Sequence, residues 1–420
     1  MPARLRRIAI DVTPLRVSAP YRRLWFGLVV STSGSQFTLV AVFIQLTRLT
    51  ESEVLVGASG VAYLLGLIAG TLAFGPVIDA WDRRRLLIMA QLGAMTAVAI
   101  LLLSSTLEDP PLPLIFLGLA VAAAFSALDS PTRSAMTPRL LGAELIPSAQ
   151  ALNQVVWNGA ALVGPAVAGV VIGAAGLTVA YAIDLASLLA MLAAAWMLQP
   201  MPPLGTEQNA TGAGAIAEGF AYVRDNPLIR STFVIDLVAM IFGMPRALFT
   251  FLIVEDFHRS EELVGLLFSA PAVGAFLGAL TSGWTRRVRA QGRAVIVAVA
   301  LWGVAITAFG VAAPHLWLAL VALAGAGWAD VISAIFRNTI LQLAVPDRLR
   351  GRLSQIHILV VTGGPRLGDL EAGIVARLTS PIVSVVSGGL ACIAGAWLVG
   401  LRYPSLRAYR AATGSAATSG

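Results

Sequence analysis

The chain has 420 residues, of which 57% are hydrophobic and only 12% charged, and its mean hydropathy is +0.82. Its formal charge is +7, and all 29 basic residues are arginine. Such a composition excludes a water-soluble globular domain, and the arginines, scattered over short turns, argue against a nucleic-acid surface.

A membrane helix needs about 20 mostly apolar residues, so the length holds about twelve with short loops. Apolar runs bounded by polar turns predict the first six helices at 25–46, 57–78, 86–106, 113–132, 149–172 and 177–198. The N-terminal arm carries Arg4, Arg6, Arg7 and Arg16, and the first apolar run lacks a small-residue cleavage site. That run reads as a first membrane helix. A polar stretch, 199–227, then interrupts the pattern. Within it Ile216, Phe220 and Val223 line one face, predicting a short amphipathic helix on the inner membrane surface. Six more runs follow at 228–251, 263–284, 294–313, 316–336, 354–378 and 381–401.

Loop charges set the expected orientation. Arginine-rich turns (Arg83, Arg84 and Arg85; Arg133 and Arg139; Arg286, Arg287, Arg289 and Arg293; Arg348, Arg350 and Arg352) alternate with acidic ones. The acidic set is Glu51 and Glu53, Glu108 and Asp109, then Glu255, Asp256, Glu261 and Glu262. Both termini are therefore expected in the cytoplasm. The expected organisation is an all-α membrane protein with two six-helix halves, 1–198 and 228–403, joined by the linker 199–227 and followed by a disordered cytoplasmic tail, 404–420.

One stretch stands out: Gly75-Pro-Val-Ile-Asp79-Ala-Trp-Asp82-Arg83-Arg84-Arg85. The glycine suits a close helix approach. Asp79 needs a helix N-terminus or an arginine as its partner. A reduced copy appears as Gly283-Trp-Thr-Arg286-Arg287-Val-Arg289. The fourth predicted helix ends Asp129-Ser-Pro-Thr-Arg133, and the tenth ends Phe336-Arg337. The fifth carries Gly164-Pro165 and the eleventh Gly364-Pro365-Arg366-Leu-Gly368-Asp369. Matching motifs at matching places predict a parallel repeat. Glycine–proline inside a membrane helix breaks the hydrogen-bond ladder and permits bending or close packing.

Together these motifs resemble the major facilitator superfamily. Two positions depart from its loop motif: Ala80 stands where a basic residue is usual and Asp82 where glycine is usual. Gly164-Pro165 is similar to the fifth-helix motif associated with exporters, with Ala168 in place of a final glycine. Three stretches are most similar to the superfamily's siderophore-exporter branch, which includes the enterobactin exporter and drug-efflux relatives. They run from Phe125 through Asn153, from Arg337 through Arg352, and from Gly364 to Asp369. The resemblance implies alternating access in a cytoplasmic membrane and export of a siderophore-like metabolite or an amphipathic drug. Uptake by the same fold is the first alternative, and a non-transporting sensor or scaffold the second.

No phosphate-binding glycine–lysine loop is present, so energy is expected from an ion gradient or from the substrate gradient itself rather than from ATP. The single cysteine, Cys392, rules out an intrachain disulfide. Three scattered histidines (His258, His315 and His357) suggest neither a metal site nor a catalytic set, and no cofactor is expected. The expected partners are a small-molecule substrate, protons and the lipid bilayer, with the chain acting as a monomer. Charges inside a membrane are costly, which makes Asp184, Asp236, Asp330, Asp369 and Glu371 proton-carrier candidates. Arg366 lies about 12 residues, or roughly 18 Å, from the inner end of its helix, with Asp369 on the same face. Arg366 reads as an anchor for acidic cargo, or as half of a self-neutralising pair with Asp369. Asp330 reads equally as a partner for Arg337 or Arg366, and Asp184 as a packed, hydrogen-bonded acid. Arg246, after Pro245, is expected to gate the outer mouth or to meet Glu255 or Asp256. Gln36 lacks an easy backbone outlet and is expected, with Asn153 and Asn158, to face the cavity. Trp25, Trp317 and Trp397 read as interface anchors. For Gly75, Asp79, Arg83, Arg84, Gly164, Pro165, Gly283, Arg286, Arg337, Gly364 and Pro365 the expected role is conformational.

Overall fold

The computed structural model describes residues 11–203 and 213–410. Among the described residues the regular structure is helical. A short α1 (Thr13–Val17) leads into α2 (Ala19–Thr50), α3 (Glu53–Ala80), α4 (Arg83–Thr106) and α5 (Leu112–Leu140). A 51-residue α6 (Ile146–Trp196) follows, then α7 (Ala213–Asp225) and α8 (Pro227–Phe242). The chain continues through a 3-10 turn (Arg246–Leu248), α9 (Phe249–Phe251) and a π-helical turn (Leu252–Asp256) to α10 (Val264–Thr281). It ends with α11 (Gln291–Val311), α12 (Leu316–Ala344), α13 (Asp347–Leu378), α14 (Pro381–Arg402) and α15 (Pro404–Ala408).

Ten helical stretches among the described residues are long and apolar enough to cross a membrane. Predicted helices 5 and 6 both fall in α6, which bends where Gly176 adopts φ 84°, ψ 173°. That is a conformation only glycine reaches cheaply, so the sequence turns there without a loop. Predicted helix 11 falls in the more charged α13. The largest departure is predicted helix 7. It stops at Phe242 and restarts past Pro245, because proline has no N–H to donate and clashes with the preceding turn. The segment 404–408, assigned to a disordered tail from sequence, is helical.

Two compact units are distinguished. Unit 1 comprises Met1–Glu51, Val61–Thr206 and Ser260–Ser269; unit 2 comprises Ser52–Gly60, Glu207–Arg259 and Ala270–Gly420. In unit 1, α2 packs along α6 and α4 along α5. Its core gathers Leu24, Leu28, Leu87, Met136, Val156 and Met191. In unit 2, α11 packs against α12 and α14, and α8 against α13. Ile229, Phe233, Val345, Leu349, Leu353 and Ile356 form a core cluster there. Large apolar side chains such as Leu72, Val170, Val321 and Trp317 stay exposed along the spans, as suits a surface facing lipid rather than water.

Small residues set the tightest approaches, which is how membrane helices pack without a hydrophobic driving force. A Cβ on Gly66 or Gly70 of α3 would collide with the backbone of Ala120 or Ala124 of α5. Gly75 is not such a site, since a Cβ there would meet nothing within 4 Å. The same holds for Gly283, whose surroundings form a 3-10 turn with Arg286 exposed. The expected close approach at the loop glycines is therefore absent in this structure and lies one to two turns earlier in α3.

Two other expectations change. Trp25 is partly buried against the unit 1 core, whereas Trp317 and Trp397 are exposed. The apolar face of α7 is split: Tyr222 and Val223 pack on the unit 2 cluster while Phe220 points outward. The side chain of Ile216 lies outside the described residues.

Candidate functional site

The break after α8 exposes backbone groups that a continuous helix would satisfy, and side chains from other helices satisfy them. Trp302 Nε1 donates to the Gly243 carbonyl at 2.8 Å, and the Ala247 N–H donates to Asp369 Oδ1 at 3.2 Å. Asp369 is fully buried on α13. Its other oxygen lies 3.8 Å from Arg246 Nη2, and Arg366 adds a second positive charge nearby. The guanidinium of Arg246 is partly exposed, so the pair has one sealed side and one open side. Arg246 thus meets Asp369, a partner on another helix that the sequence did not suggest for it.

Close packing holds Asp369 there. A Cβ on Gly368 would lie 2.5 Å from the Ile241 carbonyl and one on Gly364 2.8 Å from Met240 Cβ, so both glycines admit the end of α8. From the other side α3 approaches: a Cβ on Gly57 would strike the Asp369 carbonyl, and one on Gly60 would lie 2.6 Å from the Arg366 carbonyl. Pro365 is buried within α13, and Glu371 is half-buried one turn on.

A second charged group lies elsewhere in unit 2. Arg337 of α12 bonds Asp236 of α8, and both are almost fully buried. Asp330 Oδ1 stands 3.8 Å from Arg337 Nη2, and His357 Nδ1 of α13 stands 3.8 Å from Asp236 Oδ2. The sequence expectation that Asp330 faces an arginine thus meets Arg337. His357 was not a candidate from sequence, because a lone histidine near an arginine-rich helix start carries no motif. The signal available was that Asp236, Asp330 and Arg337 leave an acid in excess.

The polar candidates of unit 1 separate. Gln36 Nε2 reaches back to the Thr32 carbonyl at 3.5 Å, the local outlet the sequence reading denied it. Its side chain also fills the space over Gly164, where a Cβ would lie 2.5 Å from Gln36 Cγ. Beside Pro165 the Ala166 N–H donates to Ser269 Oγ at 3.1 Å. Asn158 is exposed and accepts from Gln154 Nε2 at 2.9 Å, and Asn153 is half-buried. Asp184 is buried and accepts from Ser187 Oγ at 3.3 Å, as expected of a packed acid.

The loop motif is held by main-chain contacts. Asp82 Oδ1 accepts from the Arg85 N–H at 3.1 Å and so caps α4, which accounts for an acid where glycine is usual. Arg84 Nη2 donates to the Trp196 carbonyl at 2.8 Å at the end of α6, the negative end of that helix. The Arg83 N–H donates to the Met201 carbonyl at 3.0 Å. The side chain of Asp79 lies outside the described residues.

A family model described as transmembrane secretion effector matches residues 10–416. Among curated proteins, the enterobactin exporter EntS of Citrobacter koseri is 25% identical over 405 residues, 96% of each chain. That of Escherichia coli O1:K1 is 24% identical with the same coverage. Among solved structures, the nucleoside transporter NupG superposes with a TM-score of 0.71 at 12% identity, over 93% of this chain and 99% of its own. A bacterial homologue of the iron transporter ferroportin, in an inward-facing state, gives 0.69 at 14% identity, over 93% and 99%. The structural matches share the major facilitator fold. With ten apolar spans, glycine-packed helices and a family match over nearly its whole length, this multi-pass membrane protein belongs to the transmembrane secretion effector family of major facilitator transporters.

Proposed function

We propose that the chain is a twelve-helix, two-half antiporter of the cytoplasmic membrane that exports a siderophore-like metabolite or an amphipathic drug in exchange for protons. It acts as a monomer with both termini in the cytoplasm, the side favoured by its arginine-rich turns. The observation that carries the reading is the Arg246–Asp369 contact beside the broken helix. Discontinuous membrane helices are where transporters build binding sites, since freed backbone groups and charges face one cavity. Full-length kinship with proteins named enterobactin exporters supports the export direction and the cargo class.

Arg246 and Arg366 anchor an acidic group of the cargo. Asp330, Asp369 and Glu371 are the carboxylates available to exchange protons, with Asp236 held in its pair with Arg337. Gly164-Pro165 and Gly364-Pro365 are bending points. The test compares the metabolites that a deletion strain and its parent release, with and without iron limitation. Retention of an acidic chelator in the deletion strain, relieved by the wild-type chain but not by Arg246→Ala, is expected. Export that persists after a protonophore collapses the gradient would remove the antiport step.

A further inference from the structure

Two carboxylates share one guanidinium in unit 2: Asp236 bonds Arg337, and Asp330 lies 3.8 Å from the same guanidinium. Among the described residues the sum is one negative charge in excess, in a setting where an unbalanced charge is costly. The imidazole of His357 stands 3.8 Å from Asp236 on that residue's other oxygen. We infer that Asp330 and His357 are the chain's proton-holding groups, sharing one exchangeable proton across the buried Arg337–Asp236 pair.

The geometry assigns the two kinds of member different tasks. The side chains of Arg337 and Asp236 are only 4% and 2% exposed, so that pair is inaccessible. Asp330 and His357 are 35% and 26% exposed, so neither is sealed by protein atoms as that pair is. Asp330 and Arg337 are seven residues apart on α12, two turns on one face. Among the described residues, the charged groups facing Asp330 are Arg337 of its own helix and Asp236 of α8; those facing His357 are Asp236 and Arg337. Also from α8, Phe233 presents its ring to His357 at 6.3 Å, and α7 faces this region with Tyr222 and Val223. The Nε of Arg337 is buried without an acceptor among the described residues, so the guanidinium has an N–H still to donate. A proton bound at Asp330 or at His357 balances the group. The two sites then titrate as one unit, with the occupied site set by which face is open.

This inference deepens the antiport reading and rests on it for what the proton accomplishes, but its test does not require transport. The full-length protein in lipid nanodiscs is stepped from acid to neutral pH and followed by infrared difference spectroscopy. The wild type is expected to lose the C=O band of a protonated carboxylic acid on the step. Asp330→Asn, nearly isosteric, removes that band, whereas Asp184→Asn leaves it in place. His357→Gln makes it stronger at a given pH, because the proton no longer divides between two groups. The double variant takes up one proton fewer per chain, read with a pH-indicator dye. An unchanged band in Asp330→Asn, or a wild-type band in His357→Gln, would overturn the inference. If Asp330→Asn does not fold, the His357→Gln comparison decides alone. A band that titrates as described beside export indifferent to a protonophore would retire antiport and keep the proton site.

Discussion

The N–H of Ala247 donates to Asp369 Oδ1 at 3.2 Å, across 122 residues of sequence. The bond exists because Pro245 interrupts the helix and leaves the Ala247 amide to find its acceptor on another helix. The carboxylate thereby serves the backbone on one side and Arg246 on the other. Asp369→Asn keeps an acceptor for Ala247, so it is expected to cost about 1–3 kcal/mol. Asp369→Leu leaves a buried amide and a guanidinium without their acid and is expected to cost about 3–5 kcal/mol. Thermal unfolding of the purified protein in detergent checks the order, and equal stabilities would contradict it.

Glycine packing yields a paired test. Gly70 of α3 faces the Ala124 backbone, which cannot yield as a flexible side chain would. Gly70→Ala must push α3 from α5, at about 1–3 kcal/mol. Gly75 has open space at its Cβ. Gly75→Ala is expected to leave stability unchanged or to raise it by up to about 1 kcal/mol through helix propensity. If transport nevertheless falls in Gly75→Ala, the glycine is needed in a conformation other than this one.

The loop motif separates into a cap and a clasp. Asp82→Ala removes the α4 cap and is expected to cost about 1 kcal/mol, while Asp82→Gly costs only a few tenths. Arg84→Ala removes the bond to the Trp196 carbonyl and changes stability by less than about 1 kcal/mol. Its expected effect is on the balance between conformations, as for Asp79→Asn: cargo binding persists and transport slows. Direct binding measurements beside flux assays check this. Loss of binding with an intact conformational cycle would count against it.

Within unit 1, Tyr181 Oη donates to Gln45 Oε1 at 2.7 Å, and Gln45 Nε2 donates to Ser104 Oγ at 3.0 Å, all three buried. Tyr181→Phe orphans the Gln45 carbonyl oxygen and is expected to cost about 1–3 kcal/mol. Gln45→Leu removes both bonds at once. The double variant should therefore cost less than the sum of the two, a difference that a double-mutant cycle in thermal unfolding reads directly. Strict additivity would mean that the network contributes nothing as a unit.

Most of the helical pattern was legible in the sequence. Whether a stretch of about 20 residues prefers lipid is a property of that stretch, so the spans emerge, although α5 and α12 run on to Leu140 and Ala344 and α13 begins at Asp347, beyond the predicted ends. The exceptions are local chemistry read too lightly. Predicted helix 7 runs through Pro245 to residue 251, and residues 173–176 are left as a turn between predicted helices 5 and 6, although the chain only bends there, at Gly176. Family motifs place Asp82, Arg83 and Arg84 at a turn, yet the carbonyls that Arg83 and Arg84 serve, at Met201 and Trp196, lie more than a hundred residues away.

The charged residues are the other case. Composition already determined that Asp236, Asp330, Arg337, Arg246, Arg366 and Asp369 sit in apolar runs and therefore need partners. Which charge answers which was decided only by the tertiary structure. Arg337 meets Asp236 across 101 residues, Arg246 meets Asp369, and His357 joins a group that no spacing rule connects to it. The physical reason is that hydropathy is summed along the chain, whereas the cost of a buried charge is settled by whatever atoms lie within a few ångströms of it, and helix packing alone brings those atoms together.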